Sequence, residues 1–361
     1  MEYVQERIAT LHDLTGQPPD APTDRAAVVV PMTDREFAGL APERTLETLE
    51  AVEPARVIVP LRAPASRVGA FESWLSGFDL DLTLVWCNAP AVEGLLADYG
   101  IDGPTGKGRD VWLGMGLAAR EEFVALHDAD VKNYDASQVP RLLAPLGGFE
   151  FSKGYYARVE NGRLYGRLFR LFYEPLVAAL GERHSHELLE YLGAFRYALA
   201  GEMGFTSTVA REVRPEPVWG LETGLLGETF SIAGFEGTAQ VDLGVHEHDH
   251  RAVSGATGLA TMSEHVADAL FRLLEDGGIE PDFDTLPERY REVAGRFVAG
   301  YAADAAFNGL AYDREAERAQ VDSYAESIHP AGSDRRLPAW ADTDLSPEDV
   351  ASASERALDA L

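Results

Sequence analysis

The sequence predicts an α/β protein: a sheet with helices on both faces and a helical extension at the C-terminal end. Three observations carry this expectation. Apolar runs of strand length alternate with helical stretches through the first 130 residues, the apolar spacing is helical in nearly all of the last hundred, and one early run ends in two carboxylates one residue apart. Strands that alternate with helices of this length form parallel βαβ units, whose strands are buried on both faces.

In chain order, Tyr3 to Leu14 has the apolar spacing of a helix, and Gly16 to Pro22 reads as a linker. Strands are expected at Ala27 to Val30, Arg56 to Pro60, Leu80 to Trp86 and Glu122 to Leu126, with helices at about Pro42 to Val52, Arg67 to Ser76 and Arg109 to Ala119. Beyond Asp130 the alternation weakens to a strand near Phe149 to Lys153, helices over Leu164 to Leu180, Ser185 to Leu192 and Leu221 to Phe230, and a strand at Thr238 to Val245. Helical spacing returns at Leu259 to Leu274, Leu286 to Ala302, Asp313 to Ile328 and Ser346 to Leu361. The expected divisions are 1–22, 23–255 with halves 23–135 and 136–255, and a helical tail, 256–361. This tail packs on the domain or on a second subunit, in the latter case as a homodimer.

The chain has 361 residues, with 31 Lys and Arg against 60 Asp and Glu, a formal charge of −29. Such a surface repels phosphate backbones and argues against non-specific nucleic-acid binding. It resembles the cytosolic proteins of salt-loving organisms. Cys87 is the single cysteine, so an intramolecular disulfide and a multi-cysteine metal site are excluded, and a small core residue is expected there. No apolar run approaches the ~18 residues needed to cross a bilayer, and the first residues lack the layout of a secretory signal. A cytoplasmic location follows as the expectation.

The chemistry is sought first at Val124-Ala-Leu-His-Asp-Ala-Asp130. In open α/β sheets ligands bind at the carboxyl ends of strands, and residues two apart on an extended chain face the same way. Asp128 and Asp130 could therefore share one hard divalent ion, Mg2+ or Mn2+, with a diphosphate. The alternative is a chance triplet in an acidic chain.

Upstream, Gly106-Lys107-Gly108 opens a helix. Its glycines would let the backbone approach an anion and its lysine would add a point charge, although the spacing is not that of a P-loop. The Gly114-Met115-Gly116 pair falls inside a helix and is no dinucleotide fingerprint. His246, His248 and His250 alternate at the end of a strand as metal ligands or as a solvated loop. Glu222, in Trp219-Gly-Leu-Glu-Thr-Gly224, is either a partner of the helix dipole or an acid beside the reacting centre.

Four blocks in order, G-K-G, D-A-D, Lys153-Gly-Tyr-Tyr156 with Gly166-Arg167, and W-G-L-E-T-G with Ala239-Gln-Val-Asp-Leu-Gly-Val-His-Glu-His248, resemble the retaining glycosyltransferases of the GT-A fold. The group is that of the glucosyl-3-phosphoglycerate synthases and, more distantly, mannosylglycerate synthase. The match spans about residues 26 to 265.

This resemblance implies a Rossmann-like mixed sheet at 23–255, with a nucleotide-sugar half and an acceptor half. It implies Mg2+ or Mn2+ on Asp130 and His248, Asp128 near the ribose, and Lys107 with Pro31, Thr33 and Arg35 around the nucleotide. Glu222 would face donor sugar and acceptor, the Leu192-Gly193 turn would contact the sugar, and Lys153 and Arg167 would grip an acceptor anion. The donor would be a UDP- or GDP-hexose, and the acceptor a small hydroxylated acid of the glycerate or 3-phosphoglycerate type, giving a compatible solute.

There are departures. Pro31-Met-Thr-Asp-Arg-Glu36 stands where such synthases carry P-A-L-N-E-E, Gly166-Arg-Leu-Phe169 stands for G-R-V-T, and Glu174 replaces an arginine. The rival readings are a sugar nucleotidyltransferase and a non-catalytic sugar-nucleotide-binding protein.

Overall fold

Short runs of β-branched and apolar residues, buried on both faces, build the centre of the molecule. The computed structural model describes residues 6–12, 18–248 and 256–361. Among them are eleven strands: β1 (Ala9–Leu11), β2 (Ala26–Val29), β3 (Met32–Thr33), β4 (Arg56–Arg62), β5 (Leu82–Trp86), β6 (Phe123–Leu126), β7 (Phe151–Ala157), β8 (Val159–Glu160), β9 (Arg163–Leu164), β10 (Met203–Thr206) and β11 (Thr238–Val245). Nine of these form one sheet in the order β1-β11-β7-β10-β6-β2-β4-β3, with β5 also on β4, while β8 and β9 pair separately. Every neighbour in the large sheet is parallel except β10, which is antiparallel to both β6 and β7, so the sheet is mixed.

From β2 the chain winds outward through β4 to β5, then crosses back to place β6 on the other side of β2. The winding direction reverses between β2 and β6, and at such a switch point the loops after the two strands part to leave a crevice. All four residues of both strands are buried. The helix Lys107–Ala118 lies across β4 and β2, and every residue of it but Lys107 is buried. Gly114 makes this contact close, since a Cβ there would stand 2.5 Å from Pro60 Cγ, while Gly116 admits Trp340, whose ring a Cβ would meet at 2.4 Å.

Of the first expected helix, the described residues 6–12 instead carry the edge strand β1, parallel to β11; its remaining residues, and the start of the expected linker at Gly16, lie outside the described residues. Thr10 is fully buried there and accepts from Gln240 Nε2 at 2.9 Å, a pairing that only the strand register allows. The expected helix from Leu164 begins later: Arg163 and Leu164 belong to β9, and a π-helical turn, Leu168–Tyr173, leads into the helix Glu174–Gly181. Cys87 is buried in the core.

The tail packs on its own chain. Leu286–Phe307 lies against Glu174–Gly181, and the last helix, Pro347–Leu358, returns to β5 and the helix Pro90–Asp98. Trp340 stacks on Trp112 with centroids 4.2 Å apart, and Ser354 Oγ accepts from the Trp86 amide at 2.8 Å. No helix of the described residues is long and apolar enough to cross a membrane.

Candidate active site

β6 runs out at Leu126, and the His127 amide still bonds to the Val29 carbonyl at 3.0 Å before Asp128 and Asp130 enter the crevice. Ala129 between them is buried, whereas both aspartates are half-buried; the strand has ended by then, and Ala129 and Asp130 lie in a turn rather than on an extended segment.

Lys107 Nζ lies 2.6 Å from Asp128 Oδ1 and 3.0 Å from Glu222 Oε1, joining three of the sequence blocks at one point. The flanking glycines explain how. A Cβ on Gly108 would stand 1.8 Å from the Glu216 carbonyl oxygen, and the Arg109 amide donates to the Pro217 carbonyl at 3.0 Å. The backbone approach they permit is to the protein's own segment before Glu222, which sets Lys107 beside that acid. Burial works to discharge Lys107, but Asp128 and Glu222 more than offset it and its pKa is raised. Burial likewise pushes the Asp128 carboxyl up, and the Lys107 charge and hydrogen bond reverse this, holding it below the usual carboxylate range.

The histidine segment closes the crevice. Val131 and His248 form an antiparallel bridge, the Lys132 amide donates to the Glu247 carbonyl at 2.7 Å, and the Glu247 amide donates to Asn133 Oδ1 at 2.9 Å. His248 is thereby held at the strand end that carries Asp130. His246 is fully buried, stacked on Tyr156 with centroids 4.0 Å apart and beside Gln138 Nε2 at 3.0 Å; His250 lies outside the described residues.

Glu202, a residue the sequence reading missed, joins this group. One ligand atom each from Glu202, His246 and His248 lie within 4.8 Å of one another. Both Glu202 carboxylate oxygens and His246 Nδ1 are buried and make no hydrogen bond, although the Tyr156 hydroxyl faces the carboxylate. Burial and the Asp128 charge push Glu202 up to about 8, burial pulls His246 down to about 4, and burial with the Asp128 charge pushes Asp130 up to about 7. The neutral His246 imidazole, with His248 and carboxylates that resist ionisation beside it, makes a donor set suited to a divalent cation, whose charge would ionise the acids.

Of the nucleotide segment, Thr33 donates through its amide and hydroxyl to Glu36 Oε2 at 2.6 and 2.7 Å, and Glu36 in turn acts on Asp130 through its charge. Pro31 and Thr33 are half-buried at this turn, and Arg35 is exposed.

Three residues expected at the acceptor or the sugar have protein partners in the structure. Lys153 is fully buried on β7 and donates to the Ala200 carbonyl; burial pulls its pKa down to about 7, against the nearby charges of Glu222 and Glu202. Arg167 Nε is bound to Glu317 Oε1 at 2.9 Å. Leu192 is buried with its carbonyl accepting from the Tyr173 hydroxyl at 3.3 Å, and Gly193 lines a separate cavity of about 500 Å3; the glycine packed on Asp128 is Gly201, where a Cβ would stand 2.5 Å from Oδ2. A second cavity, of about 540 Å3, is lined by Tyr156, Arg158, Phe169, Arg170, Arg196 and Tyr197, and shares Tyr156 with the histidine stack.

No family model matches the sequence. Glucosyl-3-phosphoglycerate synthase of Methanococcoides burtonii is 32% identical over 94% of this chain and 93% of its own length, and that of Persephonella marina is 34% identical over 84% and 80%. The folds of mannosyl-3-phosphoglycerate synthase from Rubrobacter xylanophilus (TM-score 0.57, 20% identity, 77% of this chain and 84% of that one) and of the Mycobacterium tuberculosis glucosyl-3-phosphoglycerate synthase crystallised with Mn2+, UDP-glucose and phosphoglyceric acid (TM-score 0.51, 22% identity, 75% and 89%) are similar. The mixed sheet with its β2–β6 crevice is thus of the GT-A type, and the chain belongs to the glucosyl-3-phosphoglycerate synthase family of glycosyltransferases.

Proposed function

We propose that this chain transfers glucose from UDP-glucose to 3-phosphoglycerate, with retention at the anomeric carbon and a bound Mn2+ or Mg2+. The single observation that carries the reading is the Val131–His248 bridge, which holds the imidazole at the strand end bearing Asp128 and Asp130. The names of the relatives and the contents of the Mycobacterium tuberculosis crystals support the same substrates.

Asp130 and His248 would hold the cation, with Glu202 and His246 behind them; bound there, it supplies Lewis-acid stabilisation of the departing diphosphate. Asp128, fixed between Lys107 and Gly201, is set to meet the ribose, with Pro31, Thr33 and Arg35 along the nucleotide. Lys107 contributes a fixed positive charge where the leaving group gains negative charge. Glu222 is tied to Lys107, which suits a residue that orients donor and acceptor better than a free nucleophile. We extend the reading to a cytosolic homodimer in a salt-accumulating cell, where a charge of −29 keeps the chain solvated and the product serves as a compatible solute.

The test is incubation with UDP-glucose, 3-phosphoglycerate and Mn2+, followed by phosphorus NMR. UDP and a glucosylated phosphoglycerate are expected. Pyrophosphate would select nucleotidyl transfer instead, and absence of any turnover would overturn the proposal. Asp130→Ala should lower metal-dependent turnover by about 100-fold or more with the melting temperature unchanged; wild-type turnover would remove Asp130 from the site.

A further inference from the structure

The cavity of about 500 Å3 that Gly193 lines is set apart from the crevice: Lys107, Asp128, Asp130, Glu222 and His248 take no part in its wall, and it shares only Phe169 with the cavity of about 540 Å3. Its volume is within the range of small-molecule sites. Four aromatic side chains line it, Phe169 and Tyr173 from the π-helical turn, Phe195 from the segment after the helix Glu187–Leu192, and Phe297 from the helix Leu286–Phe307. Phe169 and Tyr173 lie nearly parallel with centroids 6.0 Å apart. The Tyr173 hydroxyl already donates to the Leu192 carbonyl, so what this residue offers a ligand is its ring.

The charged groups of the wall are not equally neutralised. Arg7 is paired with Glu190 at 2.7 Å, and both side chains are exposed. Glu174 is half-buried, has no cation within ion-pair distance among the described residues, and accepts a hydrogen bond from the Tyr301 hydroxyl at 3.1 Å. Arg170, whose charge reaches it, is committed to Glu317 at 3.0 Å. Burial pushes the Glu174 carboxyl up, and the Tyr301 bond and the Arg170 charge only partly offset this. A cation entering the cavity would complete the neutralisation.

We propose that this cavity binds an organic cation, a methylated ammonium group held against the rings of Phe169, Tyr173, Phe195 and Phe297 with its charge answered by Glu174. Aromatic faces carry the negative part of the ring quadrupole and attract such a group, whose methyls also bury against the apolar wall of Val177 and Leu189. A small, strongly hydrated cation would lose its water for rings that cannot replace it, and an anion would face Glu174.

The test titrates choline, with its uncharged carbon isostere 3,3-dimethylbutan-1-ol as control, into the full chain and into Glu174→Gln and Phe297→Leu by calorimetry. Wild type should bind choline at one site, about tenfold more tightly than the alcohol. Glu174→Gln should weaken choline about tenfold and leave the alcohol unchanged, and Phe297→Leu should weaken choline about threefold or more. Glu174→Gln is nearly isosteric and Phe297→Leu stays apolar, so both should melt close to wild type and report on binding. Saturating UDP with Mn2+ should leave the choline Kd unaltered, because the crevice and this cavity have no wall in common. Absence of saturable choline binding, equal affinity for choline and the alcohol, or an unchanged choline Kd in either variant overturns the site. Displacement of choline by UDP and Mn2+ overturns it too, since the cation would then lie in the crevice. None of these readings depends on turnover, so the site and the glucosyl-transfer reading stand or fall separately.

Discussion

Replacing Lys107 by methionine would leave two carboxylates facing each other across the space its ammonium occupied. Lys107 Nζ contacts Asp128 at 2.6 Å and Glu222 at 3.0 Å, and the three side chains are 20%, 23% and 10% exposed. Breaking a buried ion pair by removing one partner costs about 3–5 kcal/mol; the partial exposure here argues for the lower end, about 3 kcal/mol.

The pH dependence has a definite sign. The pKa of Lys107 is raised, so its contribution is complete below the ordinary lysine value of about 10.4 and is lost only as pH climbs through the raised folded value. The pKa of Asp128 is lowered, so its contribution is complete above about 3.9 and is lost as pH falls through the folded value. The stability gap between wild type and Lys107→Met should therefore be flat from about pH 5 to pH 10 and close in acid. Urea unfolding at a series of pH values measures it directly. A gap under about 0.5 kcal/mol at pH 7, the range of an exposed pair, or one that widens in acid, would refute this account of the triad.

Three further substitutions probe glycines, two at the site and one as a control. Gly108→Ala drives a Cβ into the Glu216 carbonyl oxygen and should cost about 3 kcal/mol or more, whereas Gly103→Ala, with nothing within 4 Å, should stay within about 0.5 kcal/mol; thermal melts of the pair check both. Gly201→Ala drives a Cβ to 2.5 Å from Asp128 Oδ2 and must displace a carboxyl that Lys107 holds, so it should raise the UDP-glucose KM about tenfold, or ~1.4 kcal/mol. An unaltered KM would detach Asp128 from the nucleotide.

Much of the nucleotide half was legible because its signals are local. The apolar run before Asp128 must be a buried strand, and the helix opening at Lys107 announces itself by the glycine before it. Thr238 to Val245 was read to the residue for the same reason. β1 was misread because three residues, Ala-Thr-Leu, carry no period of their own; pairing with β11 decides their conformation.

β10 escaped because Met-Gly-Phe-Thr is short and contains a glycine packed on the Leu142 carbonyl. With β10 went its flank, Ala200 to Glu202, and so the reason Lys153 is buried and the identity of the glycine at Asp128.

The return of residues 338–354 to the nucleotide half has a consequence for biosynthesis. Trp112 donates from its indole to the Pro338 carbonyl, Trp340 covers Gly116, and Ser354 bonds Trp86, contacts spanning 224 to 268 residues of chain. Until the ribosome has released that last stretch, the nascent β4–β5 side keeps an apolar gap, and a polypeptide stalled before it would expose the gap to chaperones and proteases.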